Sequence, residues 1–308
     1  MKKYFLLSVI LVFNYSFSQI VINEYSASNL YEYIDNHGME EDWIELFNID
    51  NYDVDISGYS LSDKIDDPTK WSIPAGTIIP ARGYITFWCS GRDESNIDHY
   101  HTNFTLKQTR INPEHVVLAN SDGIIIDEFE LERTKLNHSM GRFPDGTDNL
   151  RVFPSPTKGE GNSGPNYIGY ASSPEFNLEP GFYFGTQTLT LEIIDESLDI
   201  RYTTNGDVPL FASTEYSGSI LIEETRIIKA ISIPENPEFL PSFITFGTFF
   251  IDESHVLPVL STSANSLLTL LNGNQELRPH GTIEYFDQDG IRQDFGYGEY
   301  NKHGQDSW

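Results

Sequence analysis

The sequence predicts a mainly β protein, and three observations carry that prediction. Short runs rich in β-branched and aromatic residues recur along the chain, each bounded by Gly, Pro, Asn or Asp. Spaced roughly 8–12 residues apart, such runs read as a sandwich or barrel. The 23 glycines and 16 prolines, beside many Thr, Ile and Tyr, favour strands and turns over a helical bundle. The 308 residues suit two or three domains at about 100–200 residues each.

The first residues carry an export pattern. Lys2 and Lys3 precede an apolar run from Tyr4 to Phe13, and Ser16 and Ser18 occupy the −3 and −1 positions of a cut before Gln19. The run is shorter than the roughly 20 apolar residues that span a bilayer. The only cysteine is Cys89, so a lipoprotein signal and an intrachain disulfide are both excluded. The expectation is a signal peptide over 1–18, cut between Ser18 and Gln19. The product is an exported protein, extracellular or at the cell surface after periplasmic transit, with no membrane span after cleavage. Asp and Glu number 46 against 19 Lys and Arg, a net charge of −27. That surface repels phosphate backbones, so nucleic acid is not expected as a partner. Anionic membrane surfaces are disfavoured likewise. At 13% aromatic, the chain is no disordered acidic tail.

Over residues 19–163 the expected strands are IVINEYSA, DWIELFNI, VDISGYSLSD, GYITFWC, EHVVLAN and GIIIDEFEL. IPAGTIIPARG, with two prolines and two glycines, suits edges and turns. This segment resembles the lamin tail domain through Ile22-Asn23-Glu24, Asp42-Trp43-Ile44-Glu45-Leu46 with Asn48, and Ile56-Ser57-Gly58-Tyr59 with Leu61 and Asp63. The pattern runs on through Ile73 to Thr77, Gly83-Tyr84, Phe104-Thr105-Leu106, Leu118, Asp122-Gly123 and Asp127. It closes with Ser139-Met140-Gly141-Arg142, Pro144-Asp145-Gly146, Pro156-Thr157-Lys158-Gly159 and Asn162. The resemblance implies an immunoglobulin-like sandwich with no catalytic constellation. Trp43 is then a core aromatic, and Gly58 and Gly123 are turn positions needing unusual backbone angles.

Gly159, Gly161 and Gly164 spell GxGxxG, but Pro165 follows at once and no helix pattern appears, so a linker is expected over 164–172. From 173 to 252, Leu189, Leu191 and Ile193 alternate with polar residues as in a half-buried strand. Ile200 to Asp207 with Pro209, then Tyr216-Ser217-Gly218 and Thr225 to Ala230, resemble the chitobiase/β-hexosaminidase C-terminal domain. That implies a second, accessory sandwich and no hydrolase barrel. Asn205-Gly206 is expected to form a tight hairpin turn.

From His255, Leu257 to Ser261 reads as extended, Ser266 to Leu271 as a short helix stopped by Asn272-Gly273, and Gly281 to Phe286 as a strand. Asp287 to Gly290 is then a turn, with a second strand led by Asp294-Phe295-Gly296. Leu257 to Ser261, Ile283 to Gly290 and His303 to Trp308 resemble the opening of the CotH kinase-like domain. In that family the nucleotide lysine and the metal- and base-supplying acids lie downstream, so 255–308 is expected to be an N-terminal fragment without catalytic residues. The fold class expected overall is two tandem immunoglobulin-like β-sandwiches and an incomplete α+β segment.

No constellation elsewhere specifies chemistry. Twelve residues from Asp287 falls Gly298, not the glutamate of a calcium loop. Asp50, Asp53, Asp55, Asp63, Asp66 and Asp67 read as a solvated face, with calcium as the other reading. His99 and His101 share a strand face without a third zinc ligand, and Cys89 reads as a small buried hydrophobe. The expectation is no catalytic, cofactor-binding or metal-ligating residue and no cofactor. The chain reads first as a non-catalytic surface adhesion or interaction protein, the N-terminal part of a CotH-type architecture, whose partner is a surface protein or a glycan. A secreted atypical kinase lacking its catalytic domain and a carbohydrate-associated accessory protein are the other readings.

Overall fold

The computed structural model describes residues 19–96, 99–108, 113–195, 198–273 and 276–301. The expected signal peptide and the string His303 to Trp308 lie outside the described residues. The chain divides into two compact units, Met1–Pro165 and Asn166–Trp308. The architecture is mainly β, and both modules are immunoglobulin-like sandwiches.

The first unit contains β1 (Ile20–Ser26), β2 (Trp43–Asn48), β3 (Val54–Asp55), β4 (Ser60–Ser62), β5 (Trp71–Ser72), β6 (Ile78–Ile79) and β7 (Tyr84–Trp88). It continues with β8 (Glu94–Asn96), β9 (His99–His101), β10 (His115–Ala119), β11 (Ile125–Glu130), β12 (Ser139–Arg142) and β13 (Leu150–Phe153). A seven-stranded sheet runs β13-β12-β1-β2-β7-β9-β8 and faces a four-stranded sheet, β11-β10-β4-β5. Ile22, Ile44, Leu46 and Phe87 alternate onto the inner face and are fully buried with Leu61 and Leu118. Each such side chain contributes about 1.5–3 kcal/mol on burial. Trp71 meets Phe87 edge-on at 5.8 Å, and Tyr25 meets Phe129 at 6.4 Å, so aromatic contacts bridge the two sheets.

Trp43 is a buried aromatic as expected, packed edge-on to Tyr33, and Gly58 and Gly123 take φ of 76° and 77°. The IPAGTIIPARG segment yields only the short β6, paired with β3. One of the six aspartates departs from a solvated face: Asp63 is buried and paired to Lys70 at 2.5 Å.

The second unit contains β14 (Gly169–Tyr170), β15 (Glu175–Phe176), β16 (Gly181–Tyr183), β17 (Gln187–Leu189), β18 (Leu191–Glu192), β19 (Asp199–Thr203), β20 (Thr214–Glu215) and β21 (Ile220–Ile222). After these come β22 (Arg226–Ile233), β23 (Phe239–Leu240), β24 (Thr245–Ile251), β25 (Val259–Ala264), helix α1 (Leu267–Leu271), β26 (His280–Phe286) and β27 (Arg292–Glu299). Its central sheet is β16-β24-β22-β19-β20. One face buries Ile228, Ala230 and Phe249 against Leu189, Leu191, Ile220 and Ile222. The other face receives the sheet β25-β26-β27: Thr248 bonds Glu284 at 2.5 Å, Phe250 meets Phe286 edge-on at 5.3 Å, and Lys229 Nζ donates to the Ser263 carbonyl at 3.1 Å. Residues 255–301 thus form the third layer of this unit. Residues 168–171 of the expected linker also bond to it, through β14 beside β23.

Two local expectations need correction. The run around Leu189, Leu191 and Ile193 breaks at Thr190: β17 pairs with β21, while β18 pairs with β15. The Asn177 side chain accepts the Thr190 N–H at the break, which a period-2 pattern does not reveal. Asn205-Gly206 is no tight hairpin either, because Thr203 and β20 are joined by the long loop from Thr204 to Ser213. Gly206 does take φ 80°, but its role is close approach, since a Cβ there would lie 2.7 Å from Ser263 Oγ.

At one end of the first unit Arg142 is 4% exposed. It pairs with both oxygens of Asp127 at 2.8 and 3.0 Å, donates to the Ile22 carbonyl, and lies 4.7 Å from the Phe129 ring. Burial pushes the Asp127 carboxyl up and Arg142 pulls it down. Removing one partner of such a pair leaves a buried charge, at about 3–5 kcal/mol. Arg142→Leu should therefore lower the unfolding free energy of the first unit by that amount, and its urea midpoint in proportion, read by hydrogen exchange on its peptides. An unchanged midpoint would show the pair to be dispensable.

Candidate functional site

The outer face of the seven-stranded sheet carries Trp43, Glu45 and Phe47 on β2 opposite Trp88, Thr86 and Tyr84 on β7. On β1 the pairing slips between Ile22 and Glu24, a β-bulge. The extra residue puts Asn23 and Glu24 in succession at this face while Tyr25 stays in the core. Glu24 then stands directly opposite Glu45, and both are fully buried. Like charges so placed repel. Burial pushes both carboxyls up, Glu45 to about 8. Glu45 Oε1 has no hydrogen-bond partner among the described residues, a position far less costly for a neutral carboxyl than for a carboxylate.

What covers the two glutamates is the strap 154–162. Thr157 donates its N–H to Glu24 at 3.1 Å, and its hydroxyl lies 3.0 Å from the same carboxyl. Gly159 N–H donates to Glu45 at 2.5 Å. Ser139 bonds Glu24 from the neighbouring strand. Asn162 donates to the carbonyls of Asn23 and Arg142, and Asp145 accepts from Asn162 N–H, Asn23 Nδ2 and the Tyr84 hydroxyl. Asn162 reaches the sheet because residue 141 is glycine: a Cβ there would lie 2.7 Å from its Nδ2.

The clasp fixes Lys158, which sits between the two pinned residues. Its Nζ lies 4.7 Å from the Trp88 ring and 5.2 Å from the Tyr33 ring. Burial pulls its ammonium down and Glu45 pulls it up. Beside it opens a groove of about 940 Å³, lined by Tyr84, Ile85, Thr86, Trp88, Tyr100 and Lys158 among others. That volume falls within the range of ligand clefts. The rim is fixed by Arg92, which pairs with Asp35 and Glu41 at 2.9 Å each, and by His101, bonded to Asn36 at 2.7 Å and Ser90 at 2.9 Å.

The expected site residues fall apart in space and role. Ser18 lies outside the described residues, while Gln19 is exposed and bonded to Tyr52. His101 is buried and His99 exposed. Burial holds the Cys89 thiol well above its ordinary value, so it is no nucleophile. Asp287 accepts the backbone N–H groups of Asp289 and Ile291 and closes the β26–β27 hairpin. The glycine motif belongs to the strap, through Gly159. Among the described residues no group of three or more His, Cys, Asp or Glu is placed to hold a metal. Glu24, Glu45 and Lys158 were given no role by the sequence. The available signal was two glutamates inside otherwise buried strand runs.

Comparison with known families places both modules. The Lamin Tail Domain family model matches residues 14–133. The Chitobiase/beta-hexosaminidase C-terminal domain model matches residues 178–238. In each case the sheet extends past the match, to β12 and β13 and to β24. No curated protein matches the chain.

The carboxyls set a pH dependence. Glu45 at about 8 and Asp42 at about 7, both raised by burial, keep protons that the unfolded chain has lost. The folded unit then binds more protons than the unfolded one, and its stability falls as pH rises. His138, pulled to about 4 by burial, acts oppositely, but only below its ordinary value of 6.5. Lys135, pulled to about 8 by burial, acts only above that pH. The melting temperature of the first unit should therefore fall between about pH 6.5 and 8. Glu45→Gln keeps an acceptor for Gly159 and should flatten that slope; an unchanged slope would show that Glu45 is already ionised there.

Proposed function

We propose that this chain is an exported, non-catalytic protein of tandem β-domains that acts by binding a surface protein. The observation that carries the reading is the tandem of the two matched modules, both immunoglobulin-like. The chemistry agrees with it. Two carboxyls that burial raises, Glu24 and Glu45, are spent on closing a strap, and a groove of ligand size opens beside them. No helix among the described residues is long and apolar enough to cross a membrane. Export is supported by the Lys2-Lys3 charge, the apolar run and the Ser16-x-Ser18 pattern. Intact mass of protein recovered from the periplasm or medium should lack residues 1–18, and labelled mature chain should bind the surface of intact cells. Recovery of the uncut chain from the cytoplasm alone would overturn the reading.

The second module's match supports a carbohydrate-associated role as the second reading, which a glycan array addresses. The resemblance of Leu257 to Ser261 and Ile283 to Gly290 to the CotH opening supports membership of a CotH-type architecture. On the non-catalytic reading, ATP with Mg²⁺ should leave the melting temperature unchanged. A shift growing with ATP concentration, as linkage requires of a native-state ligand, would favour the secreted-kinase reading.

A further inference from the structure

The groove beside Lys158 contains an open strand edge. On one side β7 pairs with β2 along its whole length, from Trp43↔Trp88 to Phe47↔Tyr84. On the other it pairs with β9 at a single position, Trp88↔His101. The Trp88 carbonyl accepts from Thr102 N–H at 2.8 Å, so the backbone of Trp88 faces away from β2. By the two-residue repeat of a strand, Thr86 and Tyr84 face the same way. Among the described residues no partner meets their backbone N–H and C=O groups on that side. These are two donors and two acceptors at ladder spacing inside a groove of about 940 Å³.

The walls beside this edge differ in chemistry. Side chains of β7 alternate, so Ile85 lies on one side of the edge and Thr86 and Trp88 on the other. Ile78 and Pro80 add apolar surface to the groove. On the Trp88 side stands Lys158, half-buried against two aromatic rings, with no carboxylate within 4 Å of its Nζ among the described residues. It is a local cation in a chain of net charge −27. Of the acids close by, Asp35 is paired to Arg92 and Glu45 is bonded by Gly159 N–H, so within a Debye length of about 8 Å a ligand in the groove meets Lys158 as the charge without an ion pair among the described residues.

We infer that this groove binds an extended peptide segment of a partner protein by strand addition to β7, with one carboxylate side chain on Lys158 and apolar side chains at the alternate positions. The inference rests on reading the chain as a binding protein. The open edge selects a peptide over a glycan, because four main-chain groups at strand spacing match another main chain. Outside the one carboxylate the segment is uncharged or basic, since the surrounding surface is acidic.

The test uses the mature chain and a capped seven-residue peptide, Val-Thr-Val-Glu-Val-Thr-Val, followed by fluorescence anisotropy. Replacing its glutamate by glutamine, or Lys158→Gln in the protein, should each weaken binding about tenfold, and together no further, as expected of one charge-assisted contact. N-methylation of the peptide amides on one alternate set should abolish binding, and of the other set should not. This readout needs no protein variant that risks unfolding. Amide shifts on binding should centre on Tyr84 to Trp88. No binding at millimolar peptide, indifference to N-methylation, shifts centred elsewhere, or displacement by a uronic acid oligosaccharide would each overturn the inference. Export and cell-surface binding are read separately, so their failure would sink the binding-protein reading instead.

Discussion

Two buried glutamates, facing each other across adjacent strands, are the constraint on which the first module depends. Glu24 and Glu45 occupy positions where period-2 alternation and the neighbouring residues call for apolar side chains. They are tolerated because each accepts a strap N–H, from Thr157 and Gly159, and because burial favours the neutral acid. A buried acceptor left without its donor costs about 1–3 kcal/mol. The strap and the glutamates are therefore mutually dependent: displacing either leaves the other unsatisfied. The requirement spreads outward. The β-bulge is needed to bring Asn23 and Glu24 to one face, Gly141 to admit Asn162, and Asp145 to bind Asn23, Asn162 and Tyr84 together.

The second unit meets a related demand at a layer interface. Its central sheet is apolar on one face, but the other face carries Lys229 and Thr248. Burial pulls the Lys229 ammonium down to about 8. It is covered by a sheet that supplies the Ser263 carbonyl, while Glu284 supplies an acceptor to Thr248 and an ion pair to Arg292 at 3.0 Å. Apolar packing of Phe250 and Phe286 supplies burial energy. The polar contacts set which edge of the third layer meets which strand, because a shift of one residue would turn Glu284 out and strand Lys229.

Much of this was legible locally. Strand runs, the turn glycines 58 and 123, the Asp287 hairpin and the short helix over Leu267–Leu271 all depend on neighbours in the sequence. The strap clasp did not appear because its partners are far apart: Thr157 lies 133 residues from Glu24, and Gly159 lies 114 from Glu45. Family resemblance named nearly every residue of the clasp without saying that they meet. The break at Thr190 failed for another reason. Leu189 and Leu191 are both buried, so the alternation was right, yet they serve different pairs and only the Asn177 side chain marks the change. Asp63 was misplaced because acidic clustering says nothing about which member faces Lys70.

An unpaired strand edge is ordinarily an aggregation hazard, and proteins blunt such edges with charge, short strands or covers. The outermost edge here is blunted in that way: β8 is only Glu94–Asn96, fully exposed and headed by a glutamate. The edge of β7 is treated differently. It lies within the sheet, between β2 and β9, and lines the groove, and the net charge of −27 disfavours a second copy there. The residue that discriminates among strands added to this edge, Lys158, is held by the same two hydrogen bonds that satisfy the buried glutamates, because Thr157 and Gly159 flank it. Loss of the clasp would therefore free the lysine from the lip of the groove as well as weaken the fold, which couples the stability of the module to the chemistry it presents.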